Sequence, residues 1–494
     1  MSKHRTGKAI AVAYTIIFTF ILFLQLTINK EKTLSFLVFA PITLLVAFTV
    51  SVLIYKKKRF LEKHKKIIFI TGISVMFAVI LYCGMNLMQE YTDSNGVAHW
   101  DLGNILLSAE TLATDGTLET EYFARYPNNL LLVILFSNIA KLVYAITGSV
   151  KLFYPVMVVL NSMVIISSIT FIILSADKLR GTTGAMATMI ACYGFLPFYL
   201  ISAIPYSDTI ALLCISAIVF LIIRFFSTKK LWLIAVAGFI GGFGASIKIT
   251  VAIPIIALFL VILLSEKGLK NKLKYDAILV GIFALIYCIL SLAVNNCGLI
   301  SDEDRNEYQF PITHWIMMSL EGEGTYSQED VEFTKNAGDM EAKKTATIKE
   351  IKNRIANRTL AENLYHIFVV KNYSTWCSGS QGLLWSMDFN YPRSWITKLI
   401  KDNTTIYNGV AAYAYGFFTA FTTLALAGTI LNIKRGKRPL NVLRLTLIGV
   451  FLFFLIWEAK TAYIFQFMPI IFLLAIDAIF VFLHSAKRKK SKQN

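Results

Sequence analysis

Asp101 is the acidic residue best placed to carry out chemistry in this sequence. It lies in the segment 99–104 (HWDLGN), directly before apolar residues with helical spacing. Its carboxylate could simply cap that helix, which would need no further explanation. It could instead project into a cleft at a membrane surface, where a carboxylate is well suited to act as a general base. These residues alone leave both interpretations open.

Lys248 is the basic residue that most needs a partner. It lies between two apolar segments, with almost no loop that could hold it in water. A cation in such a position has an anionic partner or extends its side chain to the membrane interface. A lipid phosphate would be a suitable partner. Asp208 lies in another turn between apolar segments, at 205–208 (PYSD), and could equally cap the helix that follows it.

Six further side chains, from two segments, could contact a substrate. They are Glu458, Lys460 and Tyr463 in one tight turn, and His314, Trp315 and Trp376 in a long polar segment. The two charges of the turn could merely pair with each other. The rings of the polar segment could stack on a sugar, or they could belong to an aromatic belt at the membrane interface.

Metal and nucleotide sites have no counterpart in the sequence. No cluster of histidine, cysteine and acidic residues has metal-site spacing, and no Walker or Rossmann motif appears. We therefore expect no cofactor, although a divalent metal stays open, and a soluble sugar nucleotide is a poor candidate donor. Cys297 and Cys377 fall in the long polar segment, where they could form a disulfide.

The elements that must position these residues are apolar helices. Of 494 residues, 56% are hydrophobic and 16% are charged, an apolar share above that of an ordinary soluble domain. Twelve segments have lengths suited to crossing a bilayer: 9–28, 33–55, 67–88, 152–175, 183–203, 208–226, 231–246, 249–265, 276–295, 408–431, 440–457 and 462–483. A thirteenth, 130–146, is short and contains Asn138 and Lys141, so we expect an amphipathic helix along the outer interface.

The net charge of +18 comes from basic clusters between the apolar segments. Lys and Arg collect in the loops of one side, which the positive-inside rule identifies as cytoplasmic. Both termini of this cell-membrane protein are then cytoplasmic, and the long segments 89–151 and 296–407 lie outside. Since no basic stripe alternates with exposed aromatic residues, we expect no nucleic-acid partner.

This topology predicts an all-α, polytopic integral membrane protein with about twelve transmembrane helices, interfacial helices and a small outer helical domain. Its parts are 1–88 (three membrane helices), 89–151 (acidic outer loop and interfacial helix), 152–295 (helices four to nine), 296–407 (outer domain) and 408–494 (three helices and a basic tail). In the outer domain, Ile348, Ile351 and Ile355 recur at helical spacing and predict an amphipathic helix.

Several motifs follow the order of a known enzyme group. They are the acidic loop around Asp101, then 122–129 (YFARYPNN), 205–208, Lys248, 311–318 (PITHWIMM) and 457–459 (WEA). Over most of its length the chain resembles the GT-C superfamily of membrane glycosyltransferases. More narrowly, it resembles the Gram-positive bacterial relatives of the dolichyl-phosphate-mannose protein mannosyltransferases, glycosyltransferase family 39. It departs from many relatives at Ala462, where they have an arginine.

The resemblance implies an enzyme that takes a sugar from a polyprenyl-phosphate carrier. Asp101 would be the catalytic base and Lys248 would hold the carrier phosphate, with Lys460 supplying the charge of the missing arginine. We expect the remaining candidates to contact substrate, namely Tyr126, Asp208, His314, Trp315, Trp376, Glu458 and Tyr463.

The expected partners are a polyprenyl-phosphate-linked sugar, an extracytoplasmic acceptor and the lipid bilayer, and a single displacement would invert the anomeric centre. The chief alternative is a transporter or flippase of lipid-linked glycans. That function needs polar groups along a path through the membrane, whereas the candidate charges gather at the outer ends of the apolar segments. A glycan polymerase and a scaffold protein are further alternatives, and the sugar and the acceptor stay open.

Overall fold

The computed structural model describes residues 3–28, 35–92, 98–384, 387, 393–433 and 437–490. Every named element in this part of the chain is a helix. Pairing of β type is limited there to an isolated bridge between Thr92 and Ala98. The predicted all-α class is confirmed.

Ten helices among the described residues are long and apolar enough to cross a membrane. They are Arg5–Thr27, Phe36–Lys56, Lys65–Tyr91, Pro127–Thr147, Phe153–Gly194, Ser207–Thr228, Leu269–Asn295, Thr404–Leu431, Arg438–Ile456 and Thr461–Leu483. Two shorter apolar helices are Leu231–Ile247 and Ile249–Ser265. Such helices satisfy their backbone hydrogen bonds internally, as a bilayer requires. Each of the twelve predicted segments lies largely within helical structure.

Helix Phe153–Gly194 contains two of the predicted segments because the chain reverses direction at Gly181. This residue has φ 71° and ψ −167°, which is not helical and which glycine adopts without a side-chain clash. Hydrogen bonds to the helix Lys65–Leu87 fix the direction of both arms: Tyr154 Oη to Met88 O (3.3 Å), Lys65 Nζ to Asp177 Oδ1 (2.6 Å) and Tyr193 Oη to Gly72 O (2.5 Å). The first arm therefore runs from Met88 towards Lys65, and the second arm returns.

The bundle has two ends, which we call the site end and the opposite end. The site end carries Asp101, Asp208, Lys248 and Glu458. Turns at the opposite end are joined by direct ion pairs: Lys65–Asp177 (2.6 Å), Arg180–Asp477 (2.7 Å) and Arg438–Glu266 (2.7 Å). Which end faces the cytoplasm stays a prediction.

Helix Leu130–Thr147 is the segment predicted to lie along the interface. Its first residues adjoin the site end, where Asn129 Nδ2 donates to the Tyr122 hydroxyl (2.9 Å). Five residues link its end to the helix that begins at Phe153, and the hydrogen bond from Tyr154 to Met88 O places that beginning at the site end as well. Helix Leu130–Thr147 is roughly 27 Å long, more than those few linking residues span when extended. The position of its two ends favours the interfacial placement, which stays a prediction.

The described part of residues 296–407, which we call the outer domain after its predicted location, consists of helices of 5–17 residues. They are Asp302–Tyr308, Ile312–Met318, Gln328–Lys335, Met340–Ala356, Leu360–Tyr365, the π-helical turn His366–Val370, Lys371–Trp376 and Trp395–Asp402. A helix does occupy the predicted position, Met340–Ala356, and Asp339 Oδ1 caps it by accepting from Ala342 N (2.9 Å). The predicted apolar face is wrong, because Ile348 and Ile355 are exposed and the buried residues of this helix are Lys343 and Thr347. Arg354 in this helix donates to Met317 O (2.9 Å), and so ties it to Ile312–Met318.

Candidate functional site

Asp101 lies in the first turn of helix Trp100–Thr114 and does not cap it. The N-cap position is His99, and no side chain caps this helix. The Tyr122 hydroxyl donates to Asp101 Oδ1 (2.7 Å), and the Tyr206 hydroxyl donates to Oδ2 (3.2 Å). The helix-cap interpretation is therefore wrong, because the carboxylate turns towards two tyrosines from other parts of the chain.

Gly103 sets how closely the backbone of Ala98 approaches the helix that carries Asp101. A Cβ atom on Gly103 would lie 1.8 Å from the carbonyl oxygen of Ala98. Ala98 is held in turn by its bridge to Thr92. A side chain at position 103 cannot be accommodated without moving backbone, so the glycine allows the start of the helix, and with it Asp101, to adopt this position.

Tyr122 and Tyr206 are site residues that sequence reasoning missed. Tyr122 is buried and also accepts a hydrogen bond from Asn129 Nδ2 (2.9 Å). Burial and the neighbouring charge of Asp101 raise the pKa of Tyr122, so its hydroxyl stays protonated and donates. Their sequence positions could have identified them, because Tyr122 lies in the segment 122–129 and Tyr206 in the segment 205–208, both of which carry the resemblance.

Lys248 forms a direct ion pair with Asp208. Lys248 Nζ lies 2.6 Å from Asp208 Oδ1, with side chains 13% and 12% exposed, and 4.9 Å from the centre of the Tyr463 ring. Asp208 lies in the first turn of helix Ser207–Thr228, whose N-cap is Tyr206, without a side-chain cap hydrogen bond. The cap interpretation of Asp208 is wrong, and Lys248 has a protein carboxylate as its partner in this structure.

Glu458 connects the Asp101 and Lys248 parts of the site. The Tyr463 hydroxyl donates to Glu458 Oε2 (3.2 Å), while Lys460 is exposed. Burial raises the pKa of Glu458, the charges of Lys460 and Lys248 lower it, and that of Asp101 raises it further. The hydrogen bond of Glu458 thus goes to Tyr463 rather than to Lys460, and all three charges lie near enough to act on its carboxyl group.

Aromatic rings adjoin this cluster from three parts of the chain. Tyr126 and Trp315 have ring centres 5.7 Å apart, and Trp315 stacks on Trp457 at 6.3 Å and 25°. All three are partly exposed. Tyr126 and Trp315 therefore lie where a bound sugar could reach them.

His314 and Trp376 present no ring face on which a sugar could stack in this structure. Both are fully buried. The Nδ1 atom of His314 hydrogen-bonds Thr334 Oγ1 (2.7 Å), and burial lowers the pKa of His314 to about 4. The Trp376 ring packs edge-on against Phe18, with centres 5.5 Å apart. The prediction that these rings stack on substrate is not supported, because their faces are enclosed by protein.

Lys371 is a further residue that the sequence did not single out. It is fully buried, and Nζ donates to the Trp457 carbonyl (3.0 Å). Burial lowers the pKa of Lys371 to about 7. Two more hydrogen bonds hold the same turn, from Ser319 Oγ to Ile456 O (2.8 Å) and from Ala459 N to Gly324 O (2.7 Å). The outer domain therefore fixes the turn that carries Glu458.

Charged groups are also buried within the apolar helices, which the sequence analysis did not anticipate. Arg444 is 1% exposed, and its Nε donates to Thr429 Oγ1 (3.1 Å). Asp276 is 6% exposed, and neither of its carboxylate oxygens has a hydrogen-bond partner. Buried charges are therefore not limited to the candidate residues of the site end.

The remaining candidates from the sequence are the cysteine pair of the long polar segment and a divalent-metal site. Cys297 is exposed and Cys377 is buried, and no disulfide joins these two described residues. Within the described ranges, no group of three or more His, Cys, Asp and Glu side chains could hold a metal ion.

Comparisons with known proteins give the following matches. A family model described as "Conserved hypothetical integral membrane protein" matches residues 4–480. No curated protein matches the chain. Among solved structures, the crystal structure of ArnT from Cupriavidus metallidurans bound to undecaprenyl phosphate is similar, with a TM-score of 0.36 and 9% sequence identity, over 83% of this chain and 77% of that chain. At this TM-score the likeness carries no argument about the present chain.

Proposed function

This chain belongs to a family of conserved hypothetical integral membrane proteins, and we propose from the geometry of its site that it is a membrane glycosyltransferase. It moves a sugar from a polyprenyl-phosphate carrier to an acceptor on the extracytoplasmic side. The site end then faces away from the cytoplasm, and both termini lie in the cytoplasm.

One observation carries the proposal: Asp101 and Lys248, far apart in the chain, belong to one cluster. The residues that join them are Tyr206, whose hydroxyl donates to Asp101 (3.2 Å), and Asp208, which pairs with Lys248. A carboxylate and an ammonium group at the end of an apolar bundle form a site with both a base and an anion-binding group. A lipid with a phosphate headgroup can reach such a site from the bilayer.

The proposed reaction is a single displacement. An acceptor hydroxyl attacks the anomeric carbon, Asp101 takes its proton, and a new carbon–oxygen bond forms. The bond between the anomeric carbon and the phosphate oxygen breaks, and the polyprenyl phosphate leaves with the electron pair. Configuration at the anomeric carbon is inverted. The hydroxyls of Tyr122 and Tyr206 hold the carboxylate in position through their hydrogen bonds.

Lys248 stabilises the negative charge that grows on the departing phosphate. A preorganised cation acts strongly where water is largely excluded, and Lys248 is only 13% exposed. Its ammonium group has three donors, so it can keep its bond to Asp208 while it donates to a phosphate oxygen. Lys460, exposed beside Glu458, supplies a second positive charge.

A transporter of lipid-linked glycans is a second candidate, favoured by the buried charges of the bundle. Arg444 and Asp276 lie inside helices that are apolar enough to span a membrane. Such residues often mark a pathway. Transport would leave the bond between sugar and phosphate intact, whereas transfer breaks it.

The deciding experiment compares envelope sugars in the native host. A strain without the protein should lack one sugar modification, and the wild-type chain should restore it. Asp101→Asn should insert into the membrane and restore nothing. Asp115→Asn, in an exposed position of the same acidic loop, is the matched control and should restore the sugar fully. Restoration by Asp101→Asn would refute its role as the base.

A further inference from the structure

Gln381 has two features that a well-packed interior normally avoids. Its φ is 54°, in the left-handed region, which is unfavourable for a residue with a side chain. The side chain is 1% exposed, and neither its nitrogen nor its oxygen has a hydrogen-bond partner. A strained backbone and an unsatisfied buried amide both destabilise the fold, so this residue calls for an explanation other than packing.

Two side chains near the Gln381 segment also have polar atoms without hydrogen-bond partners. Gln25 Oε1 and Trp376 Nε1 are buried without hydrogen-bond partners, although Gln25 Nε2 donates to the Trp376 carbonyl (3.0 Å). Tyr415 links this pair to the Gln381 segment: its hydroxyl donates to Gln25 O (2.8 Å), and its backbone lies 2.2 Å from the Cβ position of Gly379. Three side chains with unused donors or acceptors therefore lie in this part of the molecule.

The Gln381 segment adjoins the candidate site. A Cβ atom on Gly382, the next residue, would lie 3.2 Å from Thr461 Oγ1. Thr461 begins the short helix that carries Tyr463. The hydroxyl of Tyr463 bonds Glu458, and its ring lies beneath Lys248 Nζ. Gln381 thus stands next to the turn on which the proposed chemistry depends.

The chemistry of these unpaired groups indicates the class of ligand that they bind. Amide and indole groups are neutral, and together they offer donors and acceptors. An anion would call for cations, and an isoprenoid chain would call for apolar surface. A sugar hydroxyl both donates and accepts, and it matches an amide. Resting on the proposed function, we infer that the Gln381 amide binds a hydroxyl of a sugar, in the donor or in the acceptor, during transfer.

The first test replaces the amide and keeps the length of the side chain. Gln381→Met removes an unsatisfied polar group, so its thermal stability should equal or exceed that of the wild type. Transfer from polyprenyl-phosphate hexoses should fall on the order of tenfold, as expected when one hydrogen bond to substrate is lost. If Gln381 were purely structural, its substitution would not lower transfer while thermal stability is retained.

Gln466→Met is the matched control for stability. Gln466 is also fully buried, but its amide is satisfied: Thr250 Oγ1 donates to Oε1 (3.2 Å), and Nε2 donates to Tyr463 O (3.2 Å). This variant should unfold at a lower temperature. Should Gln381→Met fail to fold, Gln381→Asn tests the same point, because asparagine tolerates the left-handed backbone and shortens the reach of the amide.

Binding measurements distinguish the source of the hydroxyl. Sugar-free polyprenyl phosphate should protect the wild type and Gln381→Met equally against thermal unfolding. A raised KM for the hexose donor assigns the hydroxyl to the donor, and a raised KM for the acceptor assigns it to the acceptor. Wild-type transfer by Gln381→Met, or destabilisation equal to that of Gln466→Met, would overturn the inference. If polyprenyl phosphate fails to protect the wild type, the proposed function fails first.

Discussion

The two ends of the helical bundle use their polar residues in different ways. At the opposite end, acidic and basic side chains meet directly and join successive turns, as in Arg180–Asp477 (2.7 Å) and Lys65–Asp177 (2.6 Å). At the site end Lys248 and Asp208 also pair (2.6 Å), but Asp101 accepts from two tyrosine hydroxyls, and the side chain of Gln381 has no hydrogen-bond partner among the described residues. Charges that are fully used by protein partners stabilise the fold, whereas groups that keep unused bonding capacity are available to a ligand.

This difference separates the effects of substitutions at the two ends. Changes at the site end should lower transfer more than stability, and changes at the opposite end should lower stability more than transfer. The following predictions run from the largest expected effect on transfer to the smallest.

Asp101→Asn should have the largest effect on transfer. The amide keeps the size of the side chain but cannot accept the proton of the acceptor hydroxyl, so the rate should fall about 10²–10⁴-fold. Its thermal unfolding should stay close to that of the wild type. Rates are measured with purified protein and polyprenyl-phosphate hexoses. A large drop in stability would place Asp101 with the structural ion pairs instead.

Lys248→Met should affect both properties, and a second substitution should separate them. Transfer should fall about 10²–10³-fold through the loss of charge stabilisation. Stability should also fall, by about 3 kcal/mol, because Asp208 loses its partner. Combining Lys248→Met with Asp208→Leu should recover stability and leave transfer low. Recovery of transfer in the double variant would contradict the phosphate role of Lys248.

Gly103→Ala should lower transfer by displacing Asp101. The new Cβ atom would collide with the Ala98 carbonyl, 1.8 Å away, and a shift of about 1 Å at a catalytic group can cost roughly 10²-fold. The control is Gly281→Ala, where no atom lies within 4 Å of the new Cβ and helix propensity favours alanine. Equal transfer by both variants would show that the approach of Ala98 does not position Asp101.

Arg180→Met should have the smallest effect on transfer. Its removal leaves Asp477 buried and unpaired, with a side chain 5% exposed, and stability should fall by about 3 kcal/mol. Transfer per folded molecule should match the wild type. Lys58→Met removes an exposed pair with Glu62 and should change stability by less than about 1 kcal/mol. Loss of transfer without loss of stability in Arg180→Met would remove the distinction between the two ends.

The sequence predicted the apolar helices because hydrophobic length is a local property. The chain reversal at Gly181 illustrates this: two separate apolar segments were correctly predicted, one on each side of a residue whose φ and ψ are not helical. The small basic clusters between segments gave the predicted orientation. Buried charges such as Arg444 were overlooked, since a single basic residue hardly changes the apolar character of a helix.

The candidate site was predictable only in part because side-chain partners are not local. Asp101 and Lys248 stood out by their position beside apolar segments, but their partners Tyr122 and Asp208 depend on contacts between distant turns. Trp315 and Trp376 look alike in sequence, yet one is partly exposed and the other is fully buried. Gln381 has no sequence signal, because its conformation and missing partners exist only in the folded chain.

The most direct test of the account is whether the purified protein breaks the bond between sugar and carrier. The protein would be placed in lipid vesicles with polyprenyl-phosphate hexoses carrying a labelled sugar and with an extract of envelope acceptors. We predict that the wild type releases sugar-free polyprenyl phosphate and labels the acceptor, while Asp101→Asn does so at about 1% of that rate or less. Movement of the intact lipid-linked sugar across the vesicle without release, or equal release by Asp101→Asn, would contradict the account.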